Sequence, residues 1–465
     1  MFINRERELD ALERSYGSGR AELYVLYGRR RVGKTELLRA FCQGKRHIFF
    51  VADLGTETSA LAEFTRQISQ FAYDRPDAIS AFSSWDAAFE FLSPLAAEER
   101  LVVVLDEFTY LIEANSAIPS ILQRLWDTHL RETQLMLILC GSYVGMMEQH
   151  VLAYRAPLYG RRTAQWHLQP LTFWDVMRFL SYFNPIEQVR AYAILGGVPA
   201  YLLQFDDGMP LLRNIEQRIL TPGTFLYDEP RFLLLQELRE PHRYFSVLEA
   251  IAAGRTRQNE IAQVAGIVPS SISFYLSTLR ELGLVERVVP ATEKHPHKSK
   301  RGLYRLLDNY FRFWFRFIYP NRSLLERGEM THVRRLVKEQ LDQFTSPAFE
   351  AICREYVWRL HQTGELGFTP QAVGSWWDRQ EEVDVVAVGE EELLVGECKW
   401  RARPVGTNIL DDLKRKAHLL IQQGNWTRVH YALFSRSGFT SALEARAKNE
   451  GTLLVGLERL LAPPR

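Results

Sequence analysis

Residues 28 to 35 read G-R-R-R-V-G-K-T and come directly after the apolar run 23–27. This is a complete G-x-x-x-x-G-K-[ST] phosphate loop, and it stands between a strand-like run and a helical pattern, where such a loop folds. Its glycines let backbone N–H groups close around phosphates, Lys34 reaches the β- and γ-phosphate oxygens, and the Thr35 hydroxyl holds Mg²⁺ at a helix N-terminus. A glycine-rich turn is the alternative, but this context favours a site for ATP and Mg²⁺.

Length and composition limit the class of protein. The chain has 465 residues, 46% of them hydrophobic and 24% charged, which predicts a globular protein of about two to four domains. Its net charge is only +1, so a nucleic acid must be bound by local basic patches. The four cysteines are scattered without a C-x-x-C pair, so neither zinc nor disulfides are expected. No secretory leader or membrane-length apolar run is visible, which predicts a cytoplasmic protein.

The first part of the chain alternates apolar runs with helical stretches. The predicted strands are 23–28, 47–53, 101–106 and 135–141. This alternation predicts a parallel sheet wrapped by helices. The third strand ends in Asp106 and Glu107, which we expect to bind the Mg²⁺ hydration shell and to polarise the attacking water, although such a pair also occurs as a helix cap. The fourth strand ends at Ser142, which is expected to contact the γ-phosphate or that water.

Three features together resemble the archaeal-type ATPases of the AAA+/STAND group. They are the start F-I-N-R-E-R-E at residues 2–8, a fourth strand that ends in Gly-Ser, and the Gly-Val-Pro at residues 197–199. The resemblance implies that Asn4 and Arg5 lie near the nucleotide base and that Pro199 belongs to a helical lid that closes over it. The residues expected to bind ATP are therefore Asn4, Arg5, Gly28, Val32, Gly33, Lys34, Thr35, Glu36, Asp106 and Pro199.

The arginines of this region have two interpretations each. In the ATPases that the chain resembles, an arginine senses the γ-phosphate, and Arg161 or Arg162 is the candidate, within its own subunit or across an interface. A surface basic pair explains these two residues equally well. Arg29 to Arg31 are either solvated loop residues or contacts for phosphate or an acidic partner.

The middle of the chain resembles a winged helix-turn-helix, because a helix, a glycine-containing turn and a second helix precede a β-ribbon. The second helix is the predicted recognition helix, and the small polar residues expected to approach a groove are Ser270, Ser271, Ser273, Tyr275 and Ser277. The wing carries a basic patch without an acid, formed by Lys294, Lys298, Lys300, Arg301 and Arg305. DNA contact through phosphates is one interpretation, and an intramolecular lid is the other.

Near residue 390 two strand-like runs, 382–388 and 393–400, flank a four-residue loop and predict a hairpin. If it closes there, the facing pairs on one side of the hairpin are Val388 with Leu393, Val386 with Val395, Asp384 with Glu397, and Glu382 with Lys399. Two facing carboxylates repel each other unless a cation joins them. Mg²⁺ or Mn²⁺ is the natural cation, because these hard ions prefer oxygen ligands.

This pattern, Asp384 followed by Glu397-Cys398-Lys399, resembles the core of the restriction-endonuclease-like PD-(D/E)xK fold. The surrounding sequence resembles the DUF234 type of domain that follows archaeal-type ATPases. The resemblance implies that Asp384, Glu397 and the Cys398 carbonyl bind metal, that Lys399 positions water or offsets phosphate charge, and that Glu350 adds an acid from the first helix. A salt-bridged solvent face and an inactive, merely binding fold are the alternatives.

The predicted architecture is multidomain, with an α/β P-loop ATPase domain at 1–165, a helical lid at 166–235, a winged helix at 236–310 and an α/β nuclease-like domain at 311–465. The leading hypothesis is an ATP-hydrolysing switch that acts on DNA, in which nucleotide state moves the winged helix and so exposes or closes the nuclease face. The second hypothesis is a regulatory ATPase whose winged helix binds DNA or a partner and whose C-terminal domain is not catalytic. The sequence leaves open whether the chain forms a homo-oligomer.

Overall fold

The computed structural model describes residues 4–422 and 424–462. Phe2 and Ile3 of the predicted N-terminal motif lie outside these residues. The chain forms two compact units. The first holds the residues up to Leu171 together with Val198–Ala200, and the second holds Thr172–Gly197 together with the residues from Tyr201 onward. The domain boundaries near 165, 235 and 310 remain predictions.

The first unit contains a sheet in which every neighbouring pair of strands is parallel. Its strands are β1 (Glu22–Tyr27), β2 (His47–Val51), β3 (Leu101–Asp106), β4 (Leu135–Gly141) and β5 (Ala164–His167), in the order β2-β3-β4-β1-β5. The four predicted strands are confirmed to within two residues at each end. The sequence interpretation missed β5, a four-residue edge strand whose polar and apolar residues are too few to show a period.

Helices cover both faces of this sheet. They are α1 (Glu6–Tyr16), α2 (Lys34–Cys42), α3 (Glu57–Tyr73), α4 (Trp85–Glu98), α5 (Phe108–Ala114), α6 (Ile118–Thr128) and α7 (Val144–Met147). The residues of β1 alternate between two cores, with Leu23 and Val25 in one and Tyr24 and Leu26 in the other. This two-sided burial explains why the strand is apolar throughout, as expected of a parallel sheet.

The second unit begins with a helical region and a winged helix. Its helices and strands up to residue 362 are α8 (Phe173–Phe179), α9 (Pro185–Leu195), the second half of α10 (Pro199–Leu202), which begins in the first unit, α11 (Leu211–Asn214), α12 (Phe225–Glu237), α13 (Pro241–Ala252), α14 (Gln258–Ala265), α15 (Ile272–Glu281), β6 (Val285–Val288), β7 (Leu303–Leu306), α16 (Asn309–Phe313), α17 (Arg322–Glu326) and α18 (Met330–Gln362). Helices α14 and α15 with the antiparallel ribbon β6–β7 form the predicted winged helix. Gly266 ends α14 with a φ of 65°, which favours glycine.

The unit ends in an α/β domain. Its elements are β8 (Ala372–Trp377), β9 (Glu382–Val388), β10 (Glu392–Lys399), α19 (Thr407–Ile421), β11 (Arg428–Ser435), α20 (Ser441–Glu450), β12 (Leu453–Gly456) and α21 (Leu457–Leu461), and the strand order is β12-β11-β10-β9-β8. Strands β8, β9 and β10 pair antiparallel, whereas β10, β11 and β12 pair parallel. Helix α18 covers one face of the sheet and α19 covers the other.

The predicted hairpin register is confirmed near its turn and wrong further away. Strands β9 and β10 pair Val388 with Leu393 and Val386 with Val395, as predicted. The ladder between β9 and β10 then ends at Val385 and Gly396, so the predicted pairs Asp384–Glu397 and Glu382–Lys399 do not form.

A β-bulge explains this difference. Between the pairs Gly374–Val386 and Trp376–Val383, one residue of β8 opposes two residues of β9, Asp384 and Val385. Val383 and Val386 are three residues apart yet both belong to the α19-side core. The strand therefore changes face at Asp384, which strict alternation along the sequence cannot show.

No helix in residues 4–422 or 424–462 combines the length and the apolar character that a membrane crossing needs.

Candidate functional site

The phosphate loop lies at the C-terminal edge of the parallel sheet, between β1 and α2. Gly33 has a φ of 91° at the start of α2, a left-handed conformation that glycine adopts without strain. At Gly28, a side chain would place its Cβ 2.4 Å from the Leu168 carbonyl oxygen. Both glycines are therefore required by the backbone path of the loop.

Lys34 and Thr35 point into this loop and toward β3. The Lys34 ammonium donates to the carbonyl oxygens of Gly28 (2.8 Å) and Arg29 (3.0 Å). The Thr35 hydroxyl donates to Asp106 Oδ2 at 2.7 Å, and Asp106 is only 1% exposed. A hydroxyl and a buried carboxylate in contact at a helix N-terminus are the oxygen ligands that Mg²⁺ prefers beside a nucleotide. These residues fit ATP and Mg²⁺.

Glu107 and Ser142 come together because β4 lies beside β3 in the sheet. The Ser142 hydroxyl donates to Glu107 Oε1 at 2.7 Å. Glu107 itself has a φ of 52°, a left-handed conformation that costs energy for a residue with a side chain. Its other oxygen, Oε2, is buried and has no hydrogen-bond partner among the described atoms. A buried carboxylate oxygen in this position suits a water molecule that it would polarise.

Arg5 and Pro199 also lie at the loop. The buried Arg5 guanidinium donates to the carbonyl oxygens of Val32 (3.0 Å) and Gln169 (2.9 Å), so it fastens the N-terminal segment to the loop. A Cβ at Gly33 would be 3.9 Å from Pro199 Cγ. The contacts of Asn4 and the exposed Glu36 say nothing specific about a base, and their roles remain predictions.

Arg161 is held away from these groups in the described structure. Its guanidinium forms two hydrogen bonds with Asp127, at 3.2 and 3.0 Å, and its further bonds are to the carbonyl oxygens of Pro157 and Tyr159. Its role as a γ-phosphate sensor remains a prediction that requires Asp127 to release it. Arg30 donates to the Tyr110 hydroxyl at 2.9 Å, so at least one loop arginine is not simply solvated.

A second candidate site, the acidic centre, consists of Glu350, Asp384, Glu397 and Lys399. At the bulge of β9, the Asp384 carboxylate accepts the backbone N–H of Cys398 on β10 at 2.8 Å. Burial and the nearby Glu397 raise the pKa of Asp384 to about 6. The bulge thus aims Asp384 across the end of the ladder toward Glu397, in place of a cross-strand pair.

Glu397 forms ion pairs with two lysines. Lys399 donates to its Oε1 at 2.6 Å, and Lys416 from α19 lies 3.3 and 3.4 Å from its two oxygens. Burial works against the charge of Lys416, but the adjacent Glu397 raises the pKa of its ammonium. Lys416 has no motif around it in the sequence, and only the packing of α19 on the sheet reveals it.

Glu350 lies on α18 and interacts electrostatically with Asp384, and its role as an additional acid remains a prediction. Burial and the nearby Asp384 raise the pKa of Glu350 to about 7. Arg354, one turn further along α18, lies 4.0 Å from Glu350 and donates to the Asp384 backbone carbonyl at 2.9 Å. The i, i+4 spacing of Glu350 and Arg354 is visible in the sequence, but its link to β9 is not.

A divalent cation at the acidic centre would have few protein ligands, and its presence remains a prediction. Among the described residues, no three His, Cys, Asp or Glu side chains group closely enough to form a metal site. The predicted set of Asp384, Glu397 and the Cys398 carbonyl has two carboxylates only, which suits Mg²⁺ because this ion usually keeps several waters. Burial and, after it, the nearby Glu397 raise the pKa of Asp384, and a bound cation would favour its charged form.

The predicted recognition helix α15 presents a mixed surface. Ser270, Ser271, Ser273 and Ser277 are exposed, as expected. Tyr275 is only 7% exposed, packs edge to face against Tyr244 and accepts a hydrogen bond from Arg243 at 3.2 Å. Tyr275 is therefore a core residue, and its assignment to the groove-facing set is wrong, because it shares the buried helical stripe with Ile272 and Leu279.

This correction predicts a stability effect. Replacing Tyr275 with alanine should lower the free energy of unfolding by about 3 kcal/mol, because it leaves a cavity beside Tyr244. Urea unfolding measures the effect, and Ser277→Ala on the exposed side of the same helix should change it by no more than about 0.5 kcal/mol. Unchanged stability with weakened DNA binding in Tyr275→Ala would contradict the core assignment.

Three protein families match successive parts of the chain. The family described as an ATPase domain predominantly from Archaea matches residues 2–205. The IclR helix-turn-helix domain matches residues 242–288. The DUF234 family of archaeal and bacterial proteins of unknown function matches residues 314–414. Their order confirms the predicted succession of ATPase domain, helix-turn-helix and DUF234 domain.

Individual proteins are similar over much of the chain. An uncharacterised protein of Methanocaldococcus jannaschii is 35% identical over 425 residues, which are 90% of this chain and 92% of that protein. An uncharacterised ATP-binding protein of the same organism is 52% identical over 46 residues, 10% of this chain and 78% of its own. The solved structure of a Walker-type ATPase of Pyrococcus abyssi has a TM-score of 0.52 at 22% identity and covers 68% of this chain and 96% of its own, a similarity of fold.

Proposed function

The chain belongs to the family of archaeal-type ATPases in which a helix-turn-helix and a DUF234 domain follow the ATPase domain, and from this premise we propose that it is an ATP-hydrolysing protein that acts on DNA through a metal-dependent, nuclease-like centre under nucleotide control. ATP and DNA are its proposed partners, and the cytoplasm its proposed location. The ATPase half of this statement follows from the family, and the nuclease half rests on the acidic centre.

The position of Asp384 and Glu397 at the ends of neighbouring strands, with Glu350 on the covering helix α18, is the observation that supports nuclease chemistry. The bulge interrupts regular strand pairing and places the Asp384 carboxylate on the N–H of Cys398, the residue after Glu397, and bulges are frequent next to active sites. Burial and repulsion hold the pKa values of Asp384 and Glu350 above their ordinary range. Buried carboxylates with raised pKa values beside a lysine are typical of functional sites.

The residues of the acidic centre would divide the work as follows. Asp384, Glu397 and the Cys398 carbonyl would hold Mg²⁺ or Mn²⁺, which supplies a Lewis acid for a phosphodiester and lowers the pKa of a bound water. Lys399, held by Glu397 at 2.6 Å, is placed to orient that water or to offset charge that develops on the phosphate. Glu350 is placed to accept a proton at neutral pH because its pKa is about 7.

A second function has one specific observation in its favour. Glu397 already contacts two ammonium groups, those of Lys399 and Lys416, so the acidic centre is partly neutral without metal. This arrangement also suits a regulatory ATPase whose C-terminal domain binds nucleic acid or a partner without cutting it. The hydrogen bonds described for Lys399 join it to Glu397 and not to Asp384, which leaves Asp384 available to a cation.

One experiment separates the two functions. The purified full chain is incubated with plasmid DNA, single-stranded DNA and RNA, while ATP, ADP, Mg²⁺ and Mn²⁺ are varied independently. We expect metal-dependent cleavage of DNA whose rate differs between the ATP and ADP conditions. A cleavage rate that is the same with ATP and with ADP would reject nucleotide control. Absence of cleavage of every substrate with either metal would reject the nuclease function and favour the regulatory ATPase.

A further inference from the structure

The wing of the winged helix is attached to the edge strand of the C-terminal sheet. The wing loop, residues 289–302, connects β6 to β7. Within it, the Ala291 N–H donates to the Ser375 carbonyl oxygen on β8 at 2.9 Å. A Cβ at the neighbouring Gly374 would stand 3.3 Å from the Ala291 side chain, so the two backbones approach closely. A main-chain hydrogen bond and this close approach hold the wing against β8.

Arg305 extends this attachment to the strand that carries Asp384. In the ribbon, Arg305 on β7 lies directly opposite Glu286 on β6. Its guanidinium lies 3.7 Å from Glu382, the first residue of β9, and 5.9 Å from the centre of the Trp377 ring. Glu382 is two residues before Asp384, so a cation of the wing contacts β9 two residues from a carboxylate of the acidic centre.

Arg354 interacts with carboxylates of both the wing and the acidic centre. It donates to the Asp384 backbone carbonyl at 2.9 Å and lies 4.0 Å from Glu350. Burial raises the pKa of Glu286 on β6, and the charge of Arg354 opposes that shift. Together with the Arg305–Glu382 ion pair, the contacts of Arg354 connect the wing with the strand that carries Asp384.

The wing loop also carries three lysines and one arginine. Lys294, Lys298 and Lys300 are exposed. The remaining cation of the loop, Arg301, is paired with Glu293 at 3.4 Å. The three lysines follow one another within seven residues without an intervening acid, which suits successive phosphates of a nucleic-acid backbone.

We infer that the wing loop and the acidic centre form one continuous surface for a single segment of duplex DNA. In this arrangement Lys294, Lys298 and Lys300 hold the backbone, and Arg305 turns from Glu382 to the phosphate that is presented to Asp384. A duplex is favoured because the exposed serines of α15 stand where a helix-turn-helix reads a groove. The presentation to Asp384 rests on the proposed nuclease function, whereas the shared surface does not.

This surface also changes the expected switch. A nucleotide-driven movement of the winged helix away from the acidic centre would have to break the Ala291–Ser375 hydrogen bond and, when no DNA is bound, the Arg305–Glu382 ion pair as well. The wing and the acidic centre are expected to move together, so that DNA held by the lysines stays at the carboxylates.

Tethered cleavage tests the shared surface without any activity of the acidic centre. Arg379 lies in the exposed turn between β8 and β9. In the variant Arg379→Cys, the new thiol can be labelled selectively with an iron–EDTA reagent because the four native cysteines are buried. Hydroxyl radicals from this position should cut a bound 30-base-pair duplex within a few adjacent nucleotides. The control variant is Asn449→Cys, on α20 shortly before β12. Strand β12 is four strands from β8 in the sheet, about 19 Å away. This tether should therefore cut the duplex weakly or at other positions.

Charge variants complete the test. Lys294→Ala with Lys298→Ala and Lys300→Ala should remove the cuts from the Arg379→Cys tether and lower the slope of log affinity against log salt by about 2.7, and Arg305→Ala by about 0.9. A triple variant at the exposed Arg131, Arg428 and Lys448 is the matched control, which should leave the cutting position unchanged. Circular dichroism spectra and urea unfolding curves that match those of the wild type check that each variant folds.

Three results would overturn the shared surface. The first is that the Arg379→Cys tether does not cut bound duplex, and the second is that its cuts persist after the three lysines are replaced. The third is that the protein binds RNA more tightly than duplex DNA and loses this preference when the three lysines are replaced. Tethered cuts in a protein that cleaves no DNA by itself would uphold the shared surface and reject the nuclease.

Discussion

Lys34→Ala is expected to weaken ATP binding more than about a hundredfold. Lys34 is buried, and its ammonium donates hydrogen bonds to the carbonyl oxygens of Gly28 and Arg29. It therefore lies within the loop that is expected to bind the phosphates. Its loss leaves phosphate charge without its partner in a buried site, which costs about 3 kcal/mol or more. Titration with a fluorescent ATP analogue, followed by anisotropy, measures the change.

Two controls make this result specific. Arg39→Ala removes an exposed cation from the same helix and should bind ATP normally. Glu107→Gln should bind ATP but hydrolyse it at least about a hundredfold more slowly, because the buried Oε2 no longer carries the charge that polarises water. ATP binding of wild-type strength by Lys34→Ala would refute the assignment of the loop.

Asp384→Asn is expected to reduce metal-dependent DNA cleavage at least about a hundredfold while ATP hydrolysis stays normal. The amide can still meet the Cys398 N–H through its oxygen, so the bulge is preserved, but it no longer supplies a charge to Mg²⁺ or Mn²⁺. A metal ion that acts as a Lewis acid stabilises the charge of such transition states by several kcal/mol. Initial rates on plasmid DNA, with Mn²⁺ binding followed by calorimetry, measure both consequences.

Related substitutions sharpen this test. Glu397→Gln and Lys399→Met should also abolish cleavage, whereas Asp411→Asn, at an exposed acid of α19 that pairs with Arg446, should not. Full cleavage by Asp384→Asn in the same preparation would remove the acidic centre from the reaction and leave the regulatory function as the explanation of the C-terminal domain.

Sequence reasoning was most successful where the signal is local. The phosphate loop, the strands that end in Asp106, Glu107 and Ser142, and the turn of the β9–β10 hairpin each depend on residues that are adjacent in the chain. Parallel strands bring their C-terminal ends to one edge, so the contacts Thr35–Asp106 and Ser142–Glu107 follow once the sheet is predicted. Strand β5 was not predicted, because four residues are too few to show the alternation of polar and apolar residues that indicates a strand.

Other features depend on packing between distant segments. Alternation placed Asp384 opposite Glu397, but the bulge, which arises from the pairing of β9 with β8, moved it onto the Cys398 N–H. Spacing put Tyr275 among groove residues, and the packing of α15 on α13 buried it. Arg354 and Lys416 joined the acidic centre only because α18 and α19 cover opposite faces of the same sheet.

The chemical groups of the protein can be read from its sequence: a phosphate loop with its carboxylates, a helix-turn-helix with a basic wing, and an Asp…Glu-x-Lys strand pair. These follow from short-range patterns, in which backbone conformation and residue spacing act within a few residues. Which of these groups contact one another depends on the packing of distant segments. It placed Arg305 of the wing at Glu382 and Lys416 at Glu397, because contacts between segments far apart in the chain are set by how sheets and helices pack.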